Sequence, residues 1–267
     1  MTAWTGARPN PSPFRQWWVL TIRVIAPTVR NGELLIALSL SAVFTASFYL
    51  PLKQIMATVV QGSYAQYLMP VVALQAVFFA AMSAALRSAT DSVHGINRRF
   101  GSMPIPAMTP MAARMSGNLY RCATALATAI LYGHVIGFRF YRSASYTVGF
   151  CLLVLLIGIT VSFVGDLIGI VSTNPEATTH ILLLPQLILM MLSVGIQPAE
   201  LFPGWIQPFV RDQFFSQFVY ALHALAGDAT GSAAWPNWSV VGPALAWLVG
   251  ILAIAAPLYV VVLWRLR

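Results

Sequence analysis

Six stretches of this chain are apolar for long enough to cross a bilayer: Leu34–Leu50, Tyr67–Leu86, Leu119–Phe138, Tyr146–Val171, His180–Ile196 and Val240–Leu263. A hydrocarbon core of about 30 Å takes roughly 17 to 25 helical residues. Backbone polar groups in that solvent must be satisfied within the protein, and for separate stretches of this length the helix is the local solution. Only 8% of the 267 residues are charged, against about 25% in soluble domains, too few to coat a water-facing surface. The sequence therefore predicts an all-α polytopic membrane protein with six transmembrane helices. The net charge of +8 does not point to nucleic acid, because the arginines stand at the ends of apolar spans and are not gathered on one soluble face.

Residues 1–33 read as a cytoplasmic tail and an interfacial helix, and residues 34–267 as the six-span domain. The first 13 residues are polar and Pro-rich. From Phe14 to Arg30, Trp17, Trp18, Leu20, Ile22 and Ile25 are interleaved with Arg15, Arg23 and Arg30, which suits a short helix lying in the membrane interface. A basic flank of a transmembrane helix accounts for the arginines equally well, though not for the paired tryptophans. Pro27 is expected to interrupt this helix. No apolar run suited to a cleavable leader precedes residue 34, so the start is expected to be kept.

Basic residues set the orientation. With both termini inside, eleven (Arg8, Arg15, Arg23, Arg30, Arg87, Arg98, Arg99, Arg114, Arg121, Arg265, Arg267) are cytoplasmic and four (Lys53, Arg139, Arg142, Arg211) external, the asymmetry of a plasma-membrane protein obeying the positive-inside rule. Arg139 and Arg142 fit this least well, in a short external turn, and either bind headgroups or snorkel. The cytoplasmic side then owns a polar loop, Arg87–Arg114. Its Asp91, Asn97, Arg98 and Arg99 offer charge-assisted hydrogen bonds to a soluble partner, and Phe100 offers an apolar anchor. The same arginines could serve topology alone.

The other long break, Gln197–Ser239, is placed outside. It is aromatic and amphipathic but broken by Pro203, Gly204 and Pro208. It reads as two short helices that enter the outer leaflet and return, tolerable where packed on protein. A surface helix anchored by Trp205 is the alternative. Phe202, Trp205, Phe209 and Phe214 are candidates for an apolar gate on the exit side.

Chemistry is sparse. A phosphate-binding loop needs a lysine after a glycine loop, and the single lysine, Lys53, sits in L-P-L-K-Q-I. His94, His134, His180 and His223 lie far apart without companion carboxylates, which gives no expectation of a metal site. Cys122 and Cys151 are expected at opposite ends of neighbouring spans, beyond disulfide reach. Asp166 is the one acid well inside a span, a costly placement. Either it pairs with a basic neighbour such as Arg121, or it carries protons in a secondary transporter.

The arrangement resembles the membrane subunit of a type-2 ABC exporter. The likeness rests on L-F-P-G-W-I-Q-P-F at Leu201–Phe209 and Y-A-L-H-A-L at Tyr220–Leu225. It narrows to the daunorubicin-resistance group, in its mycobacterial permease-B form, through A-T-D-S at Ala89–Ser92, N-R-R-F at Asn97–Phe100, G-F-R-F at Gly137–Phe140, V-G-F-C-L-L at Val148–Leu153 and A-L-A-G-D at Ala224–Asp228. The resemblance implies a non-catalytic subunit with a cytoplasmic coupling helix and an external re-entrant hairpin. It implies two ATPase subunits, which bind the ATP and Mg, and a second, related permease. It also implies export of large apolar lipids such as phthiocerol dimycocerosate, with anthracycline efflux associated.

Overall fold

The computed structural model describes residues 12–30, 32–56, 63–102, 105–106, 108–231 and 233–265, and of these the backbone alone at 33–38, 40–41, 97–98, 101 and 265. Residues 1–11 of the expected tail lie outside this set. The helices in chain order are α1 (Pro13–Arg30), α2 (Glu33–Met56), α3 (Tyr64–Val93), α4 (Ile96–Gly101), α5 (Met108–Ile136), α6 (Ala144–Val171), α7 (Pro175–Met191), α8 (Gln207–Asp212), α9 (Phe214–Ala226) and α10 (Trp238–Arg265). A 3-10 turn at Ala199–Leu201 precedes α8, and no strand occurs among the described residues.

Among the described residues four helices, α3, α5, α6 and α10, are long and apolar enough to cross a membrane. The other two apolar stretches fall on α2, of 24 residues, and α7, of 17. At 1.5 Å per residue α7 rises about 26 Å, slightly less than the hydrocarbon core.

α3 is the centre. It is buried on all sides at Leu68, Met69, Val71, Val72 and Leu74, as a helix apolar all round must be, and it packs most extensively on α6 and next on α5. Small residues make the α3–α6 seam close. A Cβ on Gly169 of α6 would stand 2.5 Å from the Ala85 carbonyl oxygen and 2.9 Å from the Ala89 nitrogen, so the two backbones touch. Between apolar helices in lipid no hydrophobic drive operates, and close approach of this kind supplies the packing energy.

At the α4 end, α3 and α5 outrun the apolar windows read from the sequence, whereas α7 stops at Met191, five residues short of the expected span His180–Ile196. α3 continues through Arg87 and Asp91 to Val93, and α5 begins at Met108, before Arg114. The expected loop Arg87–Arg114 is corrected to a connection of 94–107 that holds α4. A charge ends an apolar window but not a helix, and 30 residues of α3 rise about 45 Å, past the hydrocarbon on one or both sides. Pro27 does not interrupt α1 but lies inside it.

At the end of the bundle away from α4, α9 is sunk in the core, with Phe215, Phe218, Val219 and Leu222 fully buried. Polar bonds fix it there. Gln66 of α3 donates to the carbonyls of Arg139 (2.9 Å) and Gly227 (2.7 Å) and accepts from the Arg139 amide (3.2 Å). His223 of α9 bonds the Tyr67 carbonyl at 2.7 Å.

Candidate functional site

Polar chemistry concentrates at the α4 end, where α1, α3, α5, α6 and α10 converge. Asp166, five residues before the end of α6, is 1% exposed. Arg114 of α5 meets it with both arms of its guanidinium, Nε to Oδ1 at 2.9 Å and Nη2 to Oδ2 at 3.2 Å. Tyr259 of α10 donates its hydroxyl to Oδ2 at 2.6 Å and accepts from Arg114 Nη2 at 3.1 Å. Its ring stacks on Phe163 at 4.8 Å. This closed triangle ties three helices, and Ser88 of α3 adds a bond to the Asp166 carbonyl at 3.0 Å.

The basic partner of Asp166 is thus Arg114, and Arg121 serves a different purpose. Arg121 is buried, and it donates to Thr28 Oγ1 (2.9 Å), Asn118 Oδ1 (2.9 Å) and the Val24 carbonyl (3.1 Å). Two of these acceptors belong to α1, so Arg121 fastens the interfacial helix to α5. Gly117 permits the approach, since a Cβ there would run into Val24, and Trp17 Nε1 donates to Ser116 Oγ at 3.2 Å. The outward face of α1 shows Phe14, Trp18, Val19 and Ile22, an apolar face suited to lipid.

Between α1, α3, α4 and α5 lies a cavity of about 660 Å3. Asp91 borders it, half-buried on α3, together with Arg23, Arg87, Arg114 and Arg121. Phe100 of α4 also turns into it, with the Arg23 guanidinium 6.0 Å from its ring centre. Arg99 is exposed, while the side chains of Asn97 and Arg98 are outside the described set. The structure therefore brings Asp91 and Phe100 to one cavity and leaves Arg99 facing outward.

The four aromatics expected at a gate are spread along the segment before and into α9. Phe202 is buried in the core, whereas Trp205 is 82% and Phe209 49% exposed. Phe214 packs on Phe218 and Trp247, with centroids at 5.8 and 6.1 Å. Arg142, expected to bind headgroups or to snorkel, has partners within the chain. Its Nη2 donates to the carbonyls of Ala233 (3.3 Å) and Ala234 (3.0 Å), its guanidinium lies 4.3 Å from the Trp235 ring centre, and its stem packs on Gly227, whose φ of +72° favours glycine. No local pattern reveals a clamp whose partners are some ninety positions away.

That clamp predicts a local effect. Arg142→Ala removes charged hydrogen bonds of about 1.5 to 3 kcal/mol each at most, and a cation–π contact of about 0.5 to 1 kcal/mol. Elastase is expected to cut after Ala234, which is exposed and whose carbonyl the arginine holds, at least about tenfold faster in this variant, with Arg142→Lys intermediate because an ammonium lacks the flat fork. Equal cleavage rates in all three proteins would show that the arginine does not hold the loop.

No family model matches the chain. It is 47% identical over 258 residues, 94% of its length and 89% of the relative's, to the doxorubicin resistance ABC transporter permease protein DrrB of Mycobacterium tuberculosis. It is 30% identical over 198 residues, 73% of this chain and 67% of the other, to the daunorubicin resistance ABC transporter permease protein DrrB1 of Streptomyces coeruleorubidus. A third relative, the probable doxorubicin resistance ABC transporter permease protein DrrC of M. tuberculosis, is 25% identical over 189 residues, 71% of this chain and 66% of its own. An all-helical chain with four bilayer-length apolar helices and near half its residues shared with DrrB along almost the whole length is an integral membrane protein that belongs to the DrrB-type family of drug-resistance ABC transporter permeases.

Proposed function

We propose that the chain is a non-catalytic permease subunit of an ATP-driven exporter in the plasma membrane, moving hydrophobic drugs of the anthracycline class or large apolar lipids of the phthiocerol dimycocerosate kind. The observation that carries this reading is the near-full-length likeness to DrrB, a doxorubicin resistance permease. Six spans, α2, α3, α5, α6, α7 and α10, cross the bilayer, and both termini lie on the cytoplasmic side with α4, as the eleven-to-four distribution of basic residues favours. Two ATPase subunits bind ATP and Mg and drive the cycle, and a second permease related to this one, as DrrC is, completes the pore. Phe202, Trp205, Phe209 and Phe214 form an external gate, with Trp205 and Phe209, exposed on one chain, meeting the second permease.

α4 is the coupling element. It is six residues long, is tethered between the two helices α3 and α5, and presents Arg99 outward. ATP hydrolysis in a partner moves the spans only if contacts differ between its states. Reversing Arg98 and Arg99 together to Glu is expected to abolish copurification of the ATPase and ATP-dependent drug export, since truncating a charge-paired interface residue costs about 2 to 5 kcal/mol. The Lys pair keeps the topological signal without forked bonding and is expected to be weakened only in part. ATPase copurification unchanged by the Glu pair in correctly inserted protein would move the docking surface elsewhere.

The proton-coupled alternative built on Asp166 has weaker support. A carboxylate that took a proton here would give up its ion pair and its hydrogen bond with Arg114 and cost that buried guanidinium its nearest counter-charge.

A further inference from the structure

The cavity between α1, α3, α4 and α5 has two kinds of wall. Toward the middle of the bundle its α3 wall is apolar, with Ala76, Phe79 and Ala80 at the level of Arg121 of α5, and toward α4 it carries Arg23, Arg87, Asp91 and Arg114. Four arginines less one aspartate give its lining a formal charge of +3, and +2 once Asp166, bound behind Arg114, is counted. Arg114 and Arg121 are held by Asp166 and by α1, so they contribute field. Arg23, exposed on α1, and Arg87, half-buried on α3, flank the space.

We propose that this cavity binds an anionic membrane phospholipid, the phosphate of its headgroup between Arg23 and Arg87 and the first part of one acyl chain against Ala76, Phe79 and Ala80. Charge decides the class. The net positive charge of this lining, at a low-dielectric boundary, attracts an anion, whereas a cationic amphiphile is repelled. Depth decides the source. Arg87 stands two turns before the end of a helix about 45 Å long, near the height of the headgroups, and the neighbouring α1 turns an apolar face outward, so a lipid reaches the cavity sideways. Size agrees, since about 660 Å3 falls within the roughly 300 to 1,000 Å3 of small-ligand sites. That is room for a headgroup and part of a chain. A free phosphate ion has no use for the apolar wall.

Phe100 of α4 borders the site, so binding is read at rest, without ATP, whether or not docking or export is observed. The full chain, with the subunits that copurify with it, is placed in phosphatidylcholine nanodiscs doped with spin-labelled phosphatidylglycerol or spin-labelled phosphatidylcholine. The ratio of the two immobilised fractions gives the selectivity. We expect phosphatidylglycerol to be favoured by about fivefold for each arginine that meets the headgroup, and Arg23→Gln with Arg87→Gln to bring the ratio to about one. Ala80→Trp fills the apolar wall and keeps every arginine, and it is expected to abolish the selectivity as well; it carries the test alone if the glutamine pair does not fold. Selectivity that survives in folded Ala80→Trp overturns the proposal. Displacement of the labelled lipid by glycerol phosphate in excess also overturns it and assigns the cavity to a soluble phosphate ligand.

Discussion

An Asp166→Asn variant is expected to lose on the order of 10 °C in the thermal midpoint of the solubilised chain, the largest loss from any single isosteric change in the bundle. The amide can accept one bond from Arg114 but presents a donor where the second carboxylate oxygen received Nη2 and the Tyr259 hydroxyl. Removing one member of a buried ion pair costs about 3 to 5 kcal/mol, chiefly because the other charge stays behind. Removing every member is a different matter. Asp166→Leu with Arg114→Met and Tyr259→Phe replaces the triangle by apolar groups of similar size, and such replacements are often neutral or stabilising. The triple variant is expected to recover to within a few degrees of the parent and to retain ATP-dependent drug export. A triple variant that folds but has lost export, with parental transport that follows a proton gradient, would instead make Asp166 a carrier. An unchanged midpoint in Asp166→Asn would mean that the pair contributes nothing to the fold.

Why Arg114 and not Arg121 meets Asp166 is a question the chain's pattern leaves open. The two arginines are seven positions apart on α5, two turns along one face, so each points into the bundle. Choosing between them requires the vertical stagger of α5 against α6, which is set by the small-residue seam of α6 on α3 and by α1 lying against α5. The long helices themselves were legible because runs of apolar residues have one solution in lipid. Their ends were not, since Arg87, Asp91 and Arg114 end the apolar windows while the hydrogen-bonded spiral runs on. The same residues hid the cavity. Arg23 and Arg87 read as signals of orientation, and only the packing of α1 beside α3 puts them across one space. α9 was legible as a short amphipathic helix, but its depth in the core depends on Gln66 and His223, whose backbone partners are distant in sequence.

The α3–α6 seam yields a prediction whose sign differs between glycines of the same chain. Alanine at an open helical position gains up to about 1 kcal/mol over glycine, and Gly250 of α10, with nothing within 4 Å of an added Cβ, is expected to show that gain. At Gly169 the added Cβ would lie 2.5 Å from the Ala85 carbonyl oxygen and 2.9 Å from the Ala89 nitrogen. Both are backbone atoms of a helix, which cannot swing aside as a side chain does. The helices must separate along their largest interface, and overpacking of this kind costs about 1 to 3 kcal/mol, occasionally more. Gly169→Ala is therefore expected to lower the thermal midpoint by roughly 5 °C while Gly250→Ala leaves it level or raises it. Gly165→Ala should fall between, because its Cβ would meet the Ala85 methyl at 3.2 Å and backbone atoms, the Ala81 carbonyl oxygen and the Ala85 nitrogen, at an ordinary 3.5 and 3.6 Å. A second substitution separates the two clashes. Ala85→Gly deletes the methyl and is expected to relieve Gly165→Ala, but it leaves the Ala85 carbonyl in place and so cannot relieve Gly169→Ala. Rescue of both by Ala85→Gly would mean that the seam is set by side chains, and equal midpoints for Gly169→Ala and Gly250→Ala would mean that α3 and α6 do not touch backbone to backbone at all.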